Sequence, residues 1–157
     1  MSELKTGDLA PTFKLPADNG GEIDLAALRG QSVVLYFYPK DDTPGCTTEA
    51  IDFTNAIEDF AAADTVVVGL SKDSVKKHDK FKAKHELKVH LAADEAGEVC
   101  EAYGVWVLKK LYGREYMGIE RATFLVDRQG RIAQIWRKVK VKGHAEAVLE
   151  AARQLPA

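Results

Sequence analysis

Ser32-Val-Val-Leu-Tyr-Phe-Tyr38 is followed at once by the polar segment Pro39-Lys-Asp-Asp-Thr43-Pro-Gly-Cys46. The apolar run is continuous, β-branched and aromatic, which is typical of a strand buried on both faces of a sheet. Pro39 ends the run because proline cannot donate to a sheet ladder. Beyond the polar segment, apolar residues recur at helical spacing, at Ala50, Phe53, Ile57 and Phe60. A buried strand that leads into a helix is typical of an α/β fold.

Strands and helices alternate on both sides of this segment. Before it, the sequence predicts an edge strand at Thr12–Leu15, a turn at Asp18–Gly21 and a helical turn at Leu25–Leu28. After it, the predicted elements are strands at 65–70 and 89–91, helices at 73–86, 95–103 and 143–155, and a hairpin formed by 122–126 and 132–136. This order predicts a three-layer α/β sandwich with a mixed central sheet. A length of 157 residues fits a single domain over residues 1–157.

Three segments have weaker patterns. The helix at 73–86 is so charged that we expect few core contacts from it, with His78 and His85 on a solvated face. Residues 106–118 have no clean period, which indicates a loop that is functional or faces a partner. Residues 138–142 alternate lysine and valine, which predicts an edge strand with its lysines towards water.

Composition excludes several classes of protein. Hydrophobic residues make up 46% and charged residues 29%, which argues against disorder. The net charge of −2 indicates no excess of basic residues that would bind nucleic acid. No apolar run approaches the roughly 20 residues that cross a membrane, and Met1–Gly7 has no signal-peptide pattern. The two cysteines, Cys46 and Cys100, fit a cytoplasmic protein. The histidines have no metal-ligand spacing and no phosphate loop is present, so we expect neither a metal nor a cofactor.

Cys46 has the sequence context of a reactive thiol. Thr43 suits the N-cap and Pro44 the first turn of a helix, so Cys46 falls where unpaired N–H groups and the helix dipole favour a thiolate. Thiols in such places can have a pKa between roughly 3.5 and 7.5 instead of about 8.5. Cys46 also lies four residues before Ala50, in phase with the apolar stripe, so its thiol should point into a pocket. The alternative is an inert, packed helix cysteine.

The chain resembles a known family at these residues. Pro39, Thr43 and Cys46 match the Pro-x-x-x-Thr-x-x-Cys motif of the peroxiredoxins, and Tyr36–Ala50 is similar to the bacterioferritin-comigratory, or Q-type, branch. Further similarity extends along the chain at Ala10–Leu15, Tyr103–Trp106 and Gly118–Asp127. The resemblance implies a thioredoxin-like fold and a thiol-dependent peroxidase that reduces hydrogen peroxide and organic hydroperoxides, with a role in antioxidant defence and redox homeostasis. It also implies a monomer.

The resemblance also implies roles for individual residues. Cys46 corresponds to the peroxidatic cysteine, Thr43 to the hydroxyl that contacts the peroxide, Pro39 to the residue that shields the site, and Arg121 to the pocket arginine. Gly45 and Glu49 join Thr43 and Cys46 as the expected substrate-binding residues. From the residues alone, Arg121 is also compatible with a surface charge at a strand end, and Glu49 with a first-turn carboxylate paired with the helix dipole.

The sequence departs from the branch in its second cysteine. Many members have a resolving cysteine five residues after the peroxidatic one, where this chain has Ile51, and others have it in the next long helix, which here has none. Cys100 is the remaining candidate. Either it resolves the sulfenic acid, or it is structural and an external thiol such as thioredoxin, glutaredoxin or glutathione does so. Its context on a short helix favours the structural role and a one-Cys enzyme.

Two other functions are compatible with the same fold. A thiol–disulfide reductase is disfavoured because the chain has no Cys-x-x-Cys motif. A binding or holdase module without turnover would need Cys46 to be an ordinary, unreactive thiol.

Ile51 is compatible with an isolated exposed apolar residue, or with one covered by the 106–118 segment or by a partner. That segment contains Lys109, Lys110 and Arg114, so a docking surface for a reductant is a second interpretation of it.

Overall fold

The computed structural model describes residues 3–156, so the predicted domain bounds, Met1 and Ala157, lie outside the described residues. Its strands are β1 (Lys14–Pro16), β2 (Glu22–Asp24), β3 (Ser32–Phe37), β4 (Thr65–Ser71), β5 (His90–Ala93), β6 (Trp106–Leu111), β7 (Arg114–Ile119), β8 (Ala122–Val126) and β9 (Ile132–Trp136). Its α-helices are α1 (Pro44–Asn55), α2 (Ile57–Ala62), α3 (Val75–His85), α4 (Glu98–Ala102) and α5 (His144–Arg153). Short 3-10 turns cover Asp18–Gly20 and Leu25–Leu28.

The central sheet has five strands in the order β5-β4-β3-β8-β9. β3, β4 and β5 are parallel, whereas β8 pairs antiparallel with both β3 and β9. β3 is buried along its whole length because it is the middle strand and both of its faces are covered. The predicted three-layer α/β fold with a mixed sheet is therefore confirmed.

Each face of the sheet has its own apolar core. Side chains alternate along β3, so Val33, Leu35 and Phe37 face one core while Val34 and Tyr36 face the other. Helix α4, with Cys100, belongs to the first core. Helices α1, α2, α3 and α5 contribute to the second, which contains Cys46. The two cysteines thus lie on opposite faces of the central sheet.

The prediction of a mostly solvated third helix is wrong for His78. In α3, His78 and Phe81 are buried, and the His78 ring is fully enclosed. Their spacing of three residues places both on the side of α3 that faces the sheet. His85 remains partly exposed and bonds to Asp42 at 2.9 Å.

The segment at 106–118 is a hairpin rather than a loop. β6 and β7 pair from Trp106↔Ile119 to Leu111↔Arg114 around Tyr112 and Gly113, whose φ angles of 51° and 76° suit a tight primed turn. The hairpin forms a separate two-stranded sheet, so most of its side chains face water and its sequence has no buried alternation.

The structure differs from the sequence prediction at three further places. Residues 138–142 form no strand, because Lys138 has a φ of 47° and the backbone turns there towards α5. The apolar stripe that begins at Ala50 spans two helices, with a break at Ala56. Ile51 is half-buried and packs against the core that contains Cys46.

Within residues 3–156, every helix is too short or too polar to cross a bilayer.

Candidate active site

Cys46 lies in the first turn of α1, beyond the C-terminal end of β3. Thr43 is the N-cap residue and Pro44 begins the helix, as the sequence predicts. The Cys46 side chain is only 2% exposed and packs in the core shared by α1 and α5. The thiol therefore faces a protected space at the positive end of a helix.

Arg121 reaches Cys46 from the residue before the neighbouring strand, β8. It directly precedes β8, and the register Phe37↔Ala122 brings the start of β8 beside the end of β3. Its Nη2 atom lies 3.4 Å from the Cys46 Sγ atom, and its Nη1 atom donates to Glu49 Oε1 at 2.6 Å. The guanidinium is thus held by two groups of α1, which excludes an exposed strand-end charge.

Glu49 is a buried member of the same cluster. It is 1% exposed and belongs to the second turn of α1, so it pairs with Arg121 and does not act as a first-turn carboxylate. Burial raises the pKa of Glu49 to about 7, although the charge and hydrogen bond of Arg121 oppose the rise. Its Oε2 atom is buried and has no hydrogen-bond partner among residues 3–156.

Arg121 stays protonated in this setting. Burial acts to lower the pKa of Arg121, but Glu49 and Cys46 outweigh it, so the pKa is raised above its ordinary value. Gly45 leaves room for the guanidinium, since a Cβ atom at this position would lie 3.2 Å from Arg121 Nη2. In the β6–β7 hairpin, burial and then the charge of Arg121 lower the pKa of Lys109, while the charges of Cys46 and Glu120 oppose this.

Thr43 and Pro39 occupy the connection between β3 and α1. The Thr43 hydroxyl donates to the Lys40 carbonyl at 2.9 Å and does not cap the helix, so the expectation of a capping hydroxyl is wrong. This leaves the first N–H groups of α1, including those of Gly45 and Cys46, without a side-chain cap. Pro39 is exposed two residues after the end of β3, and its shielding role stays a prediction.

Comparison with known proteins agrees with this geometry. Residues 6–135 match the model of the AhpC/TSA family. The chain is 49% identical over 152 residues to Peroxiredoxin Bcp of Bacillus subtilis, covering 97% of each chain. It is 40% identical over 149 residues to Peroxiredoxin Bcp of Escherichia coli K12, covering 95% of this chain and 96% of that one. The chain belongs to the AhpC/TSA family. It is a peroxiredoxin of the Bcp, or PrxQ, type, and hence a thiol-dependent peroxidase.

Solved structures support the same assignment. Peroxiredoxin Q of Xanthomonas campestris superimposes with a TM-score of 0.86 at 45% identity, covering 90% of this chain and 89% of that one. A Cys-to-Ser mutant of Xylella fastidiosa PrxQ gives a TM-score of 0.90 at 39% identity, covering 96% of each. A further structure of the Xanthomonas protein concerns its alkyl peroxide reduction activity. The predicted family, thioredoxin-like fold and peroxidase function are confirmed.

The central sheet separates the second cysteine of this peroxiredoxin, Cys100, from Cys46. Cys100 is fully buried in the core on the opposite face of the sheet. Burial raises its pKa well above the ordinary thiol value, and a hydrogen bond to Asp94 raises it further. Both cysteines are free.

Sequence reasoning missed a second buried polar cluster beside the site. Asp41, Asp73 and His78 bring their ligating atoms within 4.8 Å of one another, which could hold a metal ion. These groups already bond to Tyr38, Ser71 and the Ala92 carbonyl. No spacing rule could find the cluster because its three residues come from the loop before α1, the segment after β4 and helix α3. The only local signal was the unusual polarity of the segment that contains Asp41.

Proposed function

We propose that Cys46 performs the peroxidase reaction of the family. The Cys46 thiolate attacks the terminal oxygen of the hydroperoxide, the S–O bond forms and the O–O bond breaks. The leaving alkoxide or hydroxide takes up a proton and departs as alcohol or water. Cys46 is oxidised to a sulfenic acid, and the peroxide is reduced by the same two electrons. The observation that carries this proposal is the Arg121 guanidinium at 3.4 Å from Sγ, within hydrogen-bond reach of the nucleophile.

Arg121 and the helix N-terminus would stabilise the reacting charge. A fixed guanidinium favours the thiolate before the reaction and the negative leaving oxygen during it. The uncapped N–H groups of Gly45 and Cys46 supply further donors at the position of the peroxide. Preorganised donors of this kind need little rearrangement when charge develops.

Thr43 and Glu49 would complete the peroxide site in different ways. The Thr43 hydroxyl uses its proton on the Lys40 carbonyl, so its lone pairs are available to accept a hydrogen bond from the peroxide. Glu49 holds Nη1 of Arg121 and so orients Nη2 towards the sulfur. Glu49 is therefore a positioning residue for Arg121. Pro39 is proposed to limit access of water beside Cys46.

An external thiol would restore Cys46. The reductant attacks the sulfenic acid to give a mixed disulfide and water, and a second thiol then releases the Cys46 thiol. The burial of Cys100 on the other face of the sheet supports a one-Cys cycle. Thioredoxin, glutaredoxin and glutathione are the candidate reductants. We also propose a monomeric cytoplasmic enzyme in one domain over residues 1–157, which needs no nucleic acid, membrane or metal partner.

Replacement of each cysteine in turn tests this function. Cys46→Ser should abolish consumption of hydrogen peroxide and tert-butyl hydroperoxide in the presence of a reductant. The matched control, Cys100→Ser, should retain most of the activity. Activity of Cys46→Ser near the wild-type rate would contradict the proposal, because no other described thiol faces Arg121.

A further inference from the structure

The connection between β3 and α1 is anchored on its inner side by Asp41. Asp41 is buried, and its Oδ1 atom accepts a hydrogen bond from the Tyr38 hydroxyl at 2.5 Å. Its Oδ2 atom lies 2.7 Å from Nδ1 of His78. The Asp41 N–H donates to Asp73 Oδ2 at 2.8 Å. A loop residue is thus tied to the residue that follows β3, to the segment after β4 and to α3.

His78 has a defined hydrogen-bonding role in this network. Its Nε2 atom lies 3.0 Å from the Ala92 carbonyl, which can only accept, so Nε2 must carry a proton. Its Nδ1 atom faces the Asp41 carboxylate, which accepts a hydrogen bond from Nδ1 when that nitrogen is protonated. Burial acts to lower the pKa of His78, but Asp41 outweighs it and the pKa is raised. The pair therefore forms a charge-assisted bond in a buried setting.

One peptide group connects this network to the peroxide site. The N–H of Asp41 and the carbonyl of Lys40 belong to the same planar peptide unit. Asp73 holds the N–H side of that unit at 2.8 Å, and the Thr43 hydroxyl donates to its carbonyl side at 2.9 Å. The orientation of the peptide therefore sets the direction of the Thr43 proton, and with it the direction of the Thr43 lone pairs.

The next residue is tethered to the same helix. Asp42 adopts a φ of 60°, a conformation that non-glycine residues rarely occupy. Its carboxylate lies 2.7 Å from Lys84 Nζ and 2.9 Å from His85 Nε2, both at the end of α3. These contacts hold the chain in its strained turn immediately before Thr43.

We propose that Asp73 and His78 are positioning residues for the peroxidase reaction, which orient the Thr43 hydroxyl through the Lys40–Asp41 peptide. They touch neither peroxide nor sulfur. Their effect is to hold Thr43 in the direction in which it accepts a hydrogen bond from the peroxide. This inference rests on the proposed function, because it requires Thr43 to contact the substrate.

A double-mutant cycle tests the inference. Asp73→Ala and Thr43→Val should each lower the second-order rate constant for peroxide reduction, by about 10- to 100-fold. The double variant should be little slower than either single variant, because both changes remove the same oriented hydroxyl. Asp73→Asn should restore most of the rate, since its amide oxygen can still accept from the Asp41 N–H. Independent, multiplying losses in the cycle would overturn the proposal.

Controls separate positioning from folding and from the proposed function. Asp79→Ala removes an α3 contact of similar kind, the 2.7 Å bond to the Asn19 N–H, and should not change the rate. If Asp73→Ala does not fold, His78→Gln with Thr43→Val provides the same cycle. A wild-type enzyme that consumes no peroxide would contradict the proposed function itself. Loss of wild-type activity on EDTA treatment, restored by Zn²⁺, would instead make the cluster a metal site and overturn the positioning role.

Discussion

The carboxylate of Glu49 holds one arm of Arg121 at 2.6 Å, and the other arm of the same guanidinium reaches the Cys46 sulfur at 3.4 Å. Glu49 and Cys46 lie three residues apart on α1, whereas Arg121 directly precedes β8, the strand beside β3. Helix α1 thus carries both the nucleophile, Cys46, and the carboxylate of Glu49, which orients Arg121 towards it. Because the ion pair is buried, loss of one member leaves the other charge unpaired.

Glu49→Gln should lower the rate constant for peroxide reduction about tenfold at pH 8, equivalent to about 1.4 kcal/mol of transition-state stabilisation. Glutamine keeps the shape but loses the charge that holds Arg121. The pKa of Glu49 is raised to about 7, so below pH 7 the wild-type carboxyl is increasingly protonated. The ratio of wild-type to variant rates should therefore rise with pH between 6 and 8 in stopped-flow measurements. A ratio independent of pH would contradict this role for Glu49.

Gly45→Ala tests the space beside the guanidinium. The new methyl group would lie 3.2 Å from Arg121 Nη2, which cannot move freely because Glu49 and Cys46 both hold its side chain. We expect an about tenfold slower reaction with peroxide and unchanged or slightly higher stability, because alanine favours helix. Thr48→Ala is the control, since Thr48 is exposed on α1 and its hydroxyl donates to the Pro44 carbonyl. An equal loss in both variants would exclude a specific effect on Arg121.

Local patterns predicted the parts of the fold that depend on local chemistry. The hairpin of Ala122–Val126 and Ile132–Trp136 has the predicted bounds, because two apolar runs flank a turn sequence. The β6–β7 hairpin was missed because it stands apart from the central sheet and lacks a buried face. His78 was misplaced because its partner, Asp41, is 37 residues away and contacts it only in the folded chain.

The candidate site likewise contains one residue that the local sequence predicts and others whose positions depend on the folded chain. The helix start explains Cys46 from the sequence alone, since the cap residue and the first-turn proline are adjacent to it. Arg121 is 75 residues from Cys46, so its position depends on the pairing of β8 with β3 and came from family resemblance. The burial of Glu49 and the direction of the Thr43 hydroxyl depend on packing, which no local pattern encodes.

Cys100→Ala should leave peroxide reduction by an external thiol unchanged while lowering the free energy of unfolding by about 1–2 kcal/mol. The thiol is fully buried, so its removal creates a small cavity and exposes no reactive group. Urea unfolding gives the stability. Mass analysis after one equivalent of peroxide should show a sulfenic acid at Cys46, trapped by dimedone, in both proteins. A Cys46–Cys100 disulfide in the wild type would assign Cys100 as the resolving residue instead.

His144 should make the stability of the fold fall in acid. Burial and, to a smaller extent, the charge of Arg121 together lower the pKa of His144 to about 4, whereas an unfolded histidine has a pKa of about 6.5. Between these values the unfolded chain binds the proton and the native state does not, so stability is lost as the pH falls from 6.5 towards 4. After allowance for solvent screening, we expect a loss of about 2 kcal/mol relative to His144→Gln.

The variant isolates this one residue from the other titrating groups. Glutamine can still reach Thr123, whose Oγ1 atom lies 2.8 Å from His144 Nε2, but it does not titrate. Urea unfolding of both proteins at pH 7, 6, 5 and 4 therefore measures the contribution of His144 as their difference in free energy. His78, whose pKa is raised, acts in the opposite direction in both proteins and cancels in that difference. A difference that stays constant across the series would show that His144 does not resist protonation in the folded enzyme.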